Sequence, residues 1–200
     1  TSFLMKPKFI VSLLALLITA AGCQKSDWQQ LFNGKNFDGF VQLGGQAQYV
    51  VENGEMVGIS TPDTPNSFMC TTEEYSDFIL EFEAKVDTLL NSGVQIRSHS
   101  KDVEGKVLVY GYQVEIDPTN RGWSGGIYDE ARRGWLYPVT PNNQAAVKAF
   151  DRNGWNKYHV EAVGTRIRTW INGIPVADLV DDTDSVGFIG FQVHAVAEKL

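Results

Sequence analysis

The feature that most constrains this chain is the strict alternation of apolar and polar residues in short runs. In residues 78–86 (FILEFEAKV), Phe78, Leu80, Phe82, Ala84 and Val86 share one face, while Glu81, Glu83 and Lys85 lie opposite. Period two is the mark of a strand with one dry face. The pattern returns in 94–98, 112–117 and 187–194, and no long stretch keeps a helical period. Turn signals punctuate the runs. Asn53-Gly54 joins 49–51 to 56–59 as a hairpin, and Gly164-Thr165 and Asn172-Gly173 divide 158–179 into a three-strand meander. With 43% hydrophobic residues in 200 there is material for one substantial core. Many short antiparallel-type strands without helical crossovers predict an all-β sandwich of two sheets. Residues 118–150 are the exception, rich in Gly, Pro and Asn with little period. They read as a long loop, and the aromatic residues Trp123, Tyr128, Trp135 and Tyr137 within it argue for a functional one.

The N-terminus stands apart. Met5-Lys6-Pro7-Lys8 is basic, residues 9–21 are apolar and too short for a comfortable membrane span, and the run ends Thr19-Ala20-Ala21-Gly22-Cys23. Small residues leading to a cysteine resemble a bacterial lipobox, with Ala20 where Leu is usual. The expectation is a lipoprotein signal peptide over 1–22, a lipidated Cys23 on a short polar tether (23–28), and one folded domain over 29–200. That places the domain on the bacterial cell envelope, facing periplasm or cell surface, with the membrane a partner through lipid. Cys70 is then a lone thiol, expected to be a buried small apolar side chain. The net charge of −7 with no basic cluster excludes a nucleic-acid partner.

Three strands divide in the same way. In 94–99, Val94 and Ile96 face the core, leaving Gln95 and Arg97 opposite, with His99 following. In 112–117, Val114 and Ile116 face in, leaving Gln113, Glu115 and Asp117. In 188–194, Ile189, Phe191 and Val193 face in, leaving Gln192 and His194. If the three lie side by side, their polar faces merge. A solvated outer face usually carries Lys, Glu, Ser and Thr. Planar amides, carboxylates and a guanidinium flanked by aromatics instead suit a sugar, hydrogen-bonding paired hydroxyls and stacking on ring faces. The same residues permit catalysis. Arg97 can stabilise an anion, His194 can move a proton near neutrality, and Glu115 and Asp117 on one face push each other's pKa values apart. No cofactor is required by the sequence. A histidine with two carboxylates is a donor set that can take a divalent cation.

LFNGKNFDGF (31–40), SGVQIRS (92–98), YQVEIDP (112–118), SGGIYD (124–129), WNKYHVEAVGTRIRTWINGIPV (155–176) and VGFIGFQVH (186–194) occur in that order. Together they resemble the 3-keto-disaccharide hydrolase family, over roughly residues 28–200. Phe37 and Phe40 stand where the family usually has Leu and Trp. The resemblance implies a concanavalin A-like jelly roll of two antiparallel sheets. Members usually continue into a further strand, so the chain to Leu200 is expected to lack its last strand and to leave a sheet edge unpaired.

The implied activity is cleavage of a sugar already oxidised at C3. The ketone acidifies the C2 proton, a base removes it, the C1 leaving group departs by β-elimination, and water adds. In that scheme His194 or Glu115 is the base, Arg97 stabilises the enolate, Asp117 orients or protonates, and Tyr128 is a nearby donor. Gln95, Gln113, Gln192, Tyr128, Trp123, Trp135 and Tyr137 would bind the carbohydrate substrate, with 118–150 walling the pocket. Glu115-Ile116-Asp117 also resembles the start of the catalytic strand of retaining jelly-roll β-glucanases. Those need a second carboxylate about 5 Å from the first, and Thr119 and Asn120 occupy the positions where it would stand. A lectin-like carbohydrate-binding module is the alternative on the same fold. An envelope structural domain is a third reading, for which the sequence offers no positive sign.

Overall fold

The computed structural model describes residues 28–197. The apolar leader and Cys23 lie outside the described residues. Residues 28–31 belong to a unit separate from the body that begins at Phe32, and carry no strand or helix.

Thirteen strands and one helical turn are formed among the described residues. One sheet has seven strands: β1 (Phe40–Gly44), β4 (Ser67–Thr71), β13 (Phe188–Val193), β6 (Ser92–Val103), β7 (Lys106–Ile116), β8 (Ile127–Glu130) and β9 (Gly134–Tyr137), in that spatial order. The second has β12 (Ile174–Val180), β11 (Arg166–Ile171), β10 (Asn156–Val163) and β5 (Phe78–Ala84). A separate hairpin pairs β2 (Gln48–Glu52) with β3 (Glu55–Ile59). Every pairing is antiparallel. The expected all-β, jelly-roll type of sandwich is therefore the fold.

The turn chemistry works as expected. Asn53 and Gly54 both take positive φ (52° and 84°), the geometry that matches the right-handed twist of the hairpin strands. Asn172 and Gly173 do the same at 51° and 80° between β11 and β12. Residues 118–150 are not simply a loop. They hold β8, β9 and the turn α1 (Gln144–Val147), whose Asn143 side chain caps the Ala146 N–H. With only four residues in each strand, the alternation is too brief to stand out from sequence alone.

The core lies between the two sheets. Val94, Ile96, Val114, Ile116 and Ile189 meet Leu80, Val160, Ala162, Ile167 and Ile171, all buried. Phe82 stacks on Tyr158 at 4.8 Å within the second sheet and meets Phe191 edge-on at 6.2 Å across the interface. Each buried Val, Leu or Ile among them contributes about 1.5–3 kcal/mol by leaving water. The large sheet curls strongly enough for β1 and β7 to touch. On its other face, away from this core, Phe68, Cys70, Val109, Phe188 and Leu43 close into a small apolar plug. Cys70 is wholly buried there, as expected, and burial pushes its thiol up to about 12. β5 ends the second sheet, and a cleft of about 620 Å³ opens between it and β3.

Arg97 is the main departure from the alternation. β6 carries one extra residue opposite β7, so Arg97 and Ser98 together face Gly111, and Arg97 has φ 45°. The bulge turns Arg97 to the opposite face from Gln95. Its guanidinium donates to the carbonyls of Ser76 (2.6 Å) and Gly164 (2.7 Å) and to the Asp77 carboxylate (2.9 Å). It is 1% exposed, and it clamps one end of the sandwich. Arg97 is thus a structural residue, not the enolate stabiliser expected. Replacing Arg97 with Met should lower the unfolding free energy by about 3 kcal/mol, because three charge-assisted hydrogen bonds are lost and two carbonyls are left without this donor. Urea denaturation followed by tryptophan fluorescence measures this.

Candidate functional site

The plug fills one end of the curled sheet's free face. At the other end a hollow of about 290 Å³ remains, lined by Asn66, Asn91, Gln113, Glu115, Arg121, Tyr128, Glu130, Trp135, Gln192 and His194. β13, β6 and β7 are neighbours, so the polar faces read from three separate strands do merge. Register explains the hollow. Gln192 aligns beside Gly93 on β6, which in turn faces Glu115 on β7. Gly93 brings no side chain between them, and a Cβ there would collide with the Gln113 amide.

A polarised relay orients Glu115. The Ser98 hydroxyl donates to Gln95 Oε1 (2.7 Å), Gln95 Nε2 to Gln113 Oε1 (2.7 Å), and Gln113 Nε2 to Glu115 Oε2 (3.2 Å). Asn91 Nδ2 donates to Glu115 Oε1 at 2.7 Å. Burial raises the Glu115 pKa against these donors. Asp117 goes the other way. Burial works to raise it, but hydrogen bonds from Thr119 and Arg121 outweigh that, and its pKa is lowered. The two carboxyls are therefore shifted in opposite directions, by burial on one and by Thr119 and Arg121 on the other more than by their mutual repulsion. Glu130, on β8, is raised by burial despite a hydrogen bond from Asn66 at 3.2 Å.

His194 Nδ1 lies 2.7 Å from the Ala195 carbonyl. A carbonyl only accepts, so Nδ1 carries the proton and Nε2 is left with the lone pair. Arg121 is the cation of the lining. Its guanidinium lies 4.2 Å from the Trp123 ring and 5.3 Å from Trp135, donates to Asp117 at 2.8 Å, and reaches within 3.6 Å of Glu115. Trp135 meets Trp123 and Tyr128 edge-on, at 4.6 and 5.2 Å. The β8–β9 hairpin that presents these groups is tied down from its other side. Asp129, fully buried, binds Arg132 and Arg133, which also bind Asp184 and Asp181. Tyr112 donates to Asp181 from the same quarter.

Of the residues expected at the site, Gln113, Glu115, Gln192, His194, Tyr128 and Trp135 line the hollow. Gln95 does not reach it. It is wholly buried and serves the relay below. Asp117 is also sealed, held by Thr119, Ser124 and Arg121, and acts by positioning Arg121. Trp123 supports Arg121 rather than lining the hollow, and Tyr137 pairs with Ile127 in the sheet without facing it. Four lining residues were not foreseen. Glu130 follows Tyr128 by two, so the same period marks it. Arg121 lies four residues after Asp117. Asn66 and Asn91 stand just before strands, with no local signal. Among the described residues, no group of three or more His, Cys, Asp and Glu side chains is arranged to hold a metal ion.

The 3-keto-alpha-glucoside-1,2-lyase-like domain family matches residues 27–198. The chain belongs to this family. No curated protein matches it. Solved structures similar to this family member share its fold at low identity. One is a carbohydrate-binding module, CBM66, from Bacillus subtilis, at 20% identity and TM-score 0.52, covering 78% of this chain and 88% of that one. Another is a candidate glycosyl hydrolase from Parabacteroides distasonis, at 17% identity and TM-score 0.56, covering 84% and 87%. A third is a protein of unknown function with a galectin-like fold from Bacillus subtilis, at 12% identity and TM-score 0.57, covering 82% and 87%.

Glu130 generates a pH prediction. Its raised folded-state pKa means the carboxyl favours folding below the unfolded value of 4.5, and that contribution is lost as pH rises through the folded pKa. Glu130→Gln keeps an acceptor for Asn66 and does not titrate. The variant should match the parent near pH 4 and exceed it in urea midpoint as pH rises above 4.5, the gain levelling off once Glu130 is ionised in the folded state too.

Proposed function

We propose that the hollow takes the glycosyl unit of a 3-keto-glycoside and cleaves its bond to the aglycone by proton abstraction at C2, β-elimination and hydration. The observation that carries this reading is the pairing of His194 Nε2, a lone pair freed by the Nδ1–Ala195 contact, with a Glu115 carboxyl of raised pKa in the same lining. A base and an acid are what the elimination requires. His194 Nε2 removes the C2 proton. Electrons move to the C3 oxygen, where the Arg121 guanidinium stabilises the enolate. The enolate re-forms the ketone as the C1–O bond breaks, and Glu115 delivers the proton to the departing oxygen. Water then adds at C1 of the resulting unsaturated ketone, restoring the C2–H bond. Arg121 thus takes the role the sequence suggested for Arg97. Family membership supports the substrate class. The lipid-anchored envelope location read from residues 1–23 belongs to the same proposal.

Trp135 and Tyr128 with the free Gln192 amide equally suit a sugar-binding module, the role named for the CBM66 neighbour. Methyl 3-keto-α- and β-glucopyranosides with product analysis separate the two. The expected result is turnover that falls about 100-fold or more in His194→Ala and in Glu115→Gln, and is unchanged per folded molecule in Arg97→Met. Saturable binding of the sugars without any turnover would overturn the catalytic reading and leave the binding module.

A further inference from the structure

Gln192 is unusual among the buried polar residues. It is 5% exposed, and both its Nε2 and its Oε1 lack a hydrogen-bond partner. The comparable amides of Gln95 and Gln113 are both tied into the relay. An unpaired donor and acceptor at that depth destabilise the folded chain unless something else satisfies them. Gln192 lines the hollow, next to Gly93 and across it from Glu115.

The spacing says what fits. Gln192 and Glu115 stand on strands two apart, so their backbones are separated by about 10 Å, with Gly93 between them and the Gln113 side chain lying over it. One pyranose ring, resting edge-on against the Gln113 amide that covers Gly93, spans the remaining gap. C1 and C4 are opposite corners of such a ring. With Glu115 at the C1 oxygen, as the proposed reaction requires, the far corner meets Gln192.

We propose that Gln192 is the specificity-determining residue of this site, its Nε2 donating to the C3 carbonyl oxygen and its Oε1 accepting from the C4 hydroxyl of a single 3-keto-pyranosyl unit. This rests on the reading of the hollow as a keto-sugar site. It assigns the polar atoms that nothing else in the fold uses, and it makes the C3–C4 edge the part of the sugar that is recognised.

Gln192→Leu removes the unpaired amide and nearly preserves volume, and Gln192→Met is a second variant of similar size. Thermal unfolding should show each at least as stable as the parent, because no hydrogen bond is lost. KM for methyl 3-keto-glucopyranoside should rise about tenfold to a hundredfold. The 4-deoxy analogue should show a similar penalty with the parent protein and little further penalty with either variant. A fall in Tm with unchanged KM in both variants would make Gln192 a structural residue and overturn the proposal. So would equal 4-deoxy penalties in parent and variant. If the parent shows no turnover but titration calorimetry gives the same pattern in Kd, the Gln192 assignment stands and the catalytic reading falls. If the parent neither binds nor cleaves these sugars, both fall.

Discussion

The arrangement turns on one extra residue in β6. The bulge at Arg97–Ser98 changes which face each side chain serves, and both outcomes matter. Arg97 is sent toward the second sheet, where it holds the carbonyls of Ser76 and Gly164 and the Asp77 carboxylate. Ser98 is returned to the free face, where its hydroxyl begins the relay that ends on Glu115. Without the bulge, an ionised guanidinium would stand where the relay begins. The backbone accommodates it closely: Gly187 lies against the bulge with no room for a Cβ, and Gly111 opposite takes φ +131°.

Much of the site was legible because strands have a simple period. Gln113 with Glu115, Gln192 with His194, and the inward-facing Val94, Val114 and Val193 all lie where alternation puts them. The failures share one cause, which is that period two is a local rule. Arg97 was misread because a bulge shifts parity by one, although Gly111 within an otherwise continuous strand is the kind of residue that marks such a place. Gln95 was on the correct face but one layer too deep. Burial depends on how far the sheet curls, and that is a property of all seven strands. Asn66 and Asn91 enter the hollow through strand order alone, and no neighbouring residue announces them.

The site also divides labour between layers. His194, Glu115, Arg121 and Gln192 face the space a ligand would fill. Behind them, Asp117 with Trp123 fixes Arg121, the Gln95–Gln113 pair fixes Glu115, and Asp129 with Arg132 and Arg133 fixes the hairpin carrying Tyr128, Glu130 and Trp135. Desolvation then acts differently on neighbours. Glu115 and Glu130 meet few compensating charges and are raised, while Asp117, two residues from Glu115, is lowered by Arg121 and Thr119. Three consecutive residues thereby offer a carboxyl whose pKa is raised and another that holds a cation.

The length of β6 and β7 has a practical side. The two strands continue well past the bulge to a turn at Glu104-Gly105, whose residues are exposed and whose glycine has open space around it. Lys106 and Glu115 are nine positions apart on β7, about 30 Å along the strand. A fluorophore or a surface-coupling group attached at this tip would sit remote from the hollow yet on the same continuous strand. The hairpin is thus a ready-made handle by which the protein can be immobilised or labelled with the hollow left open.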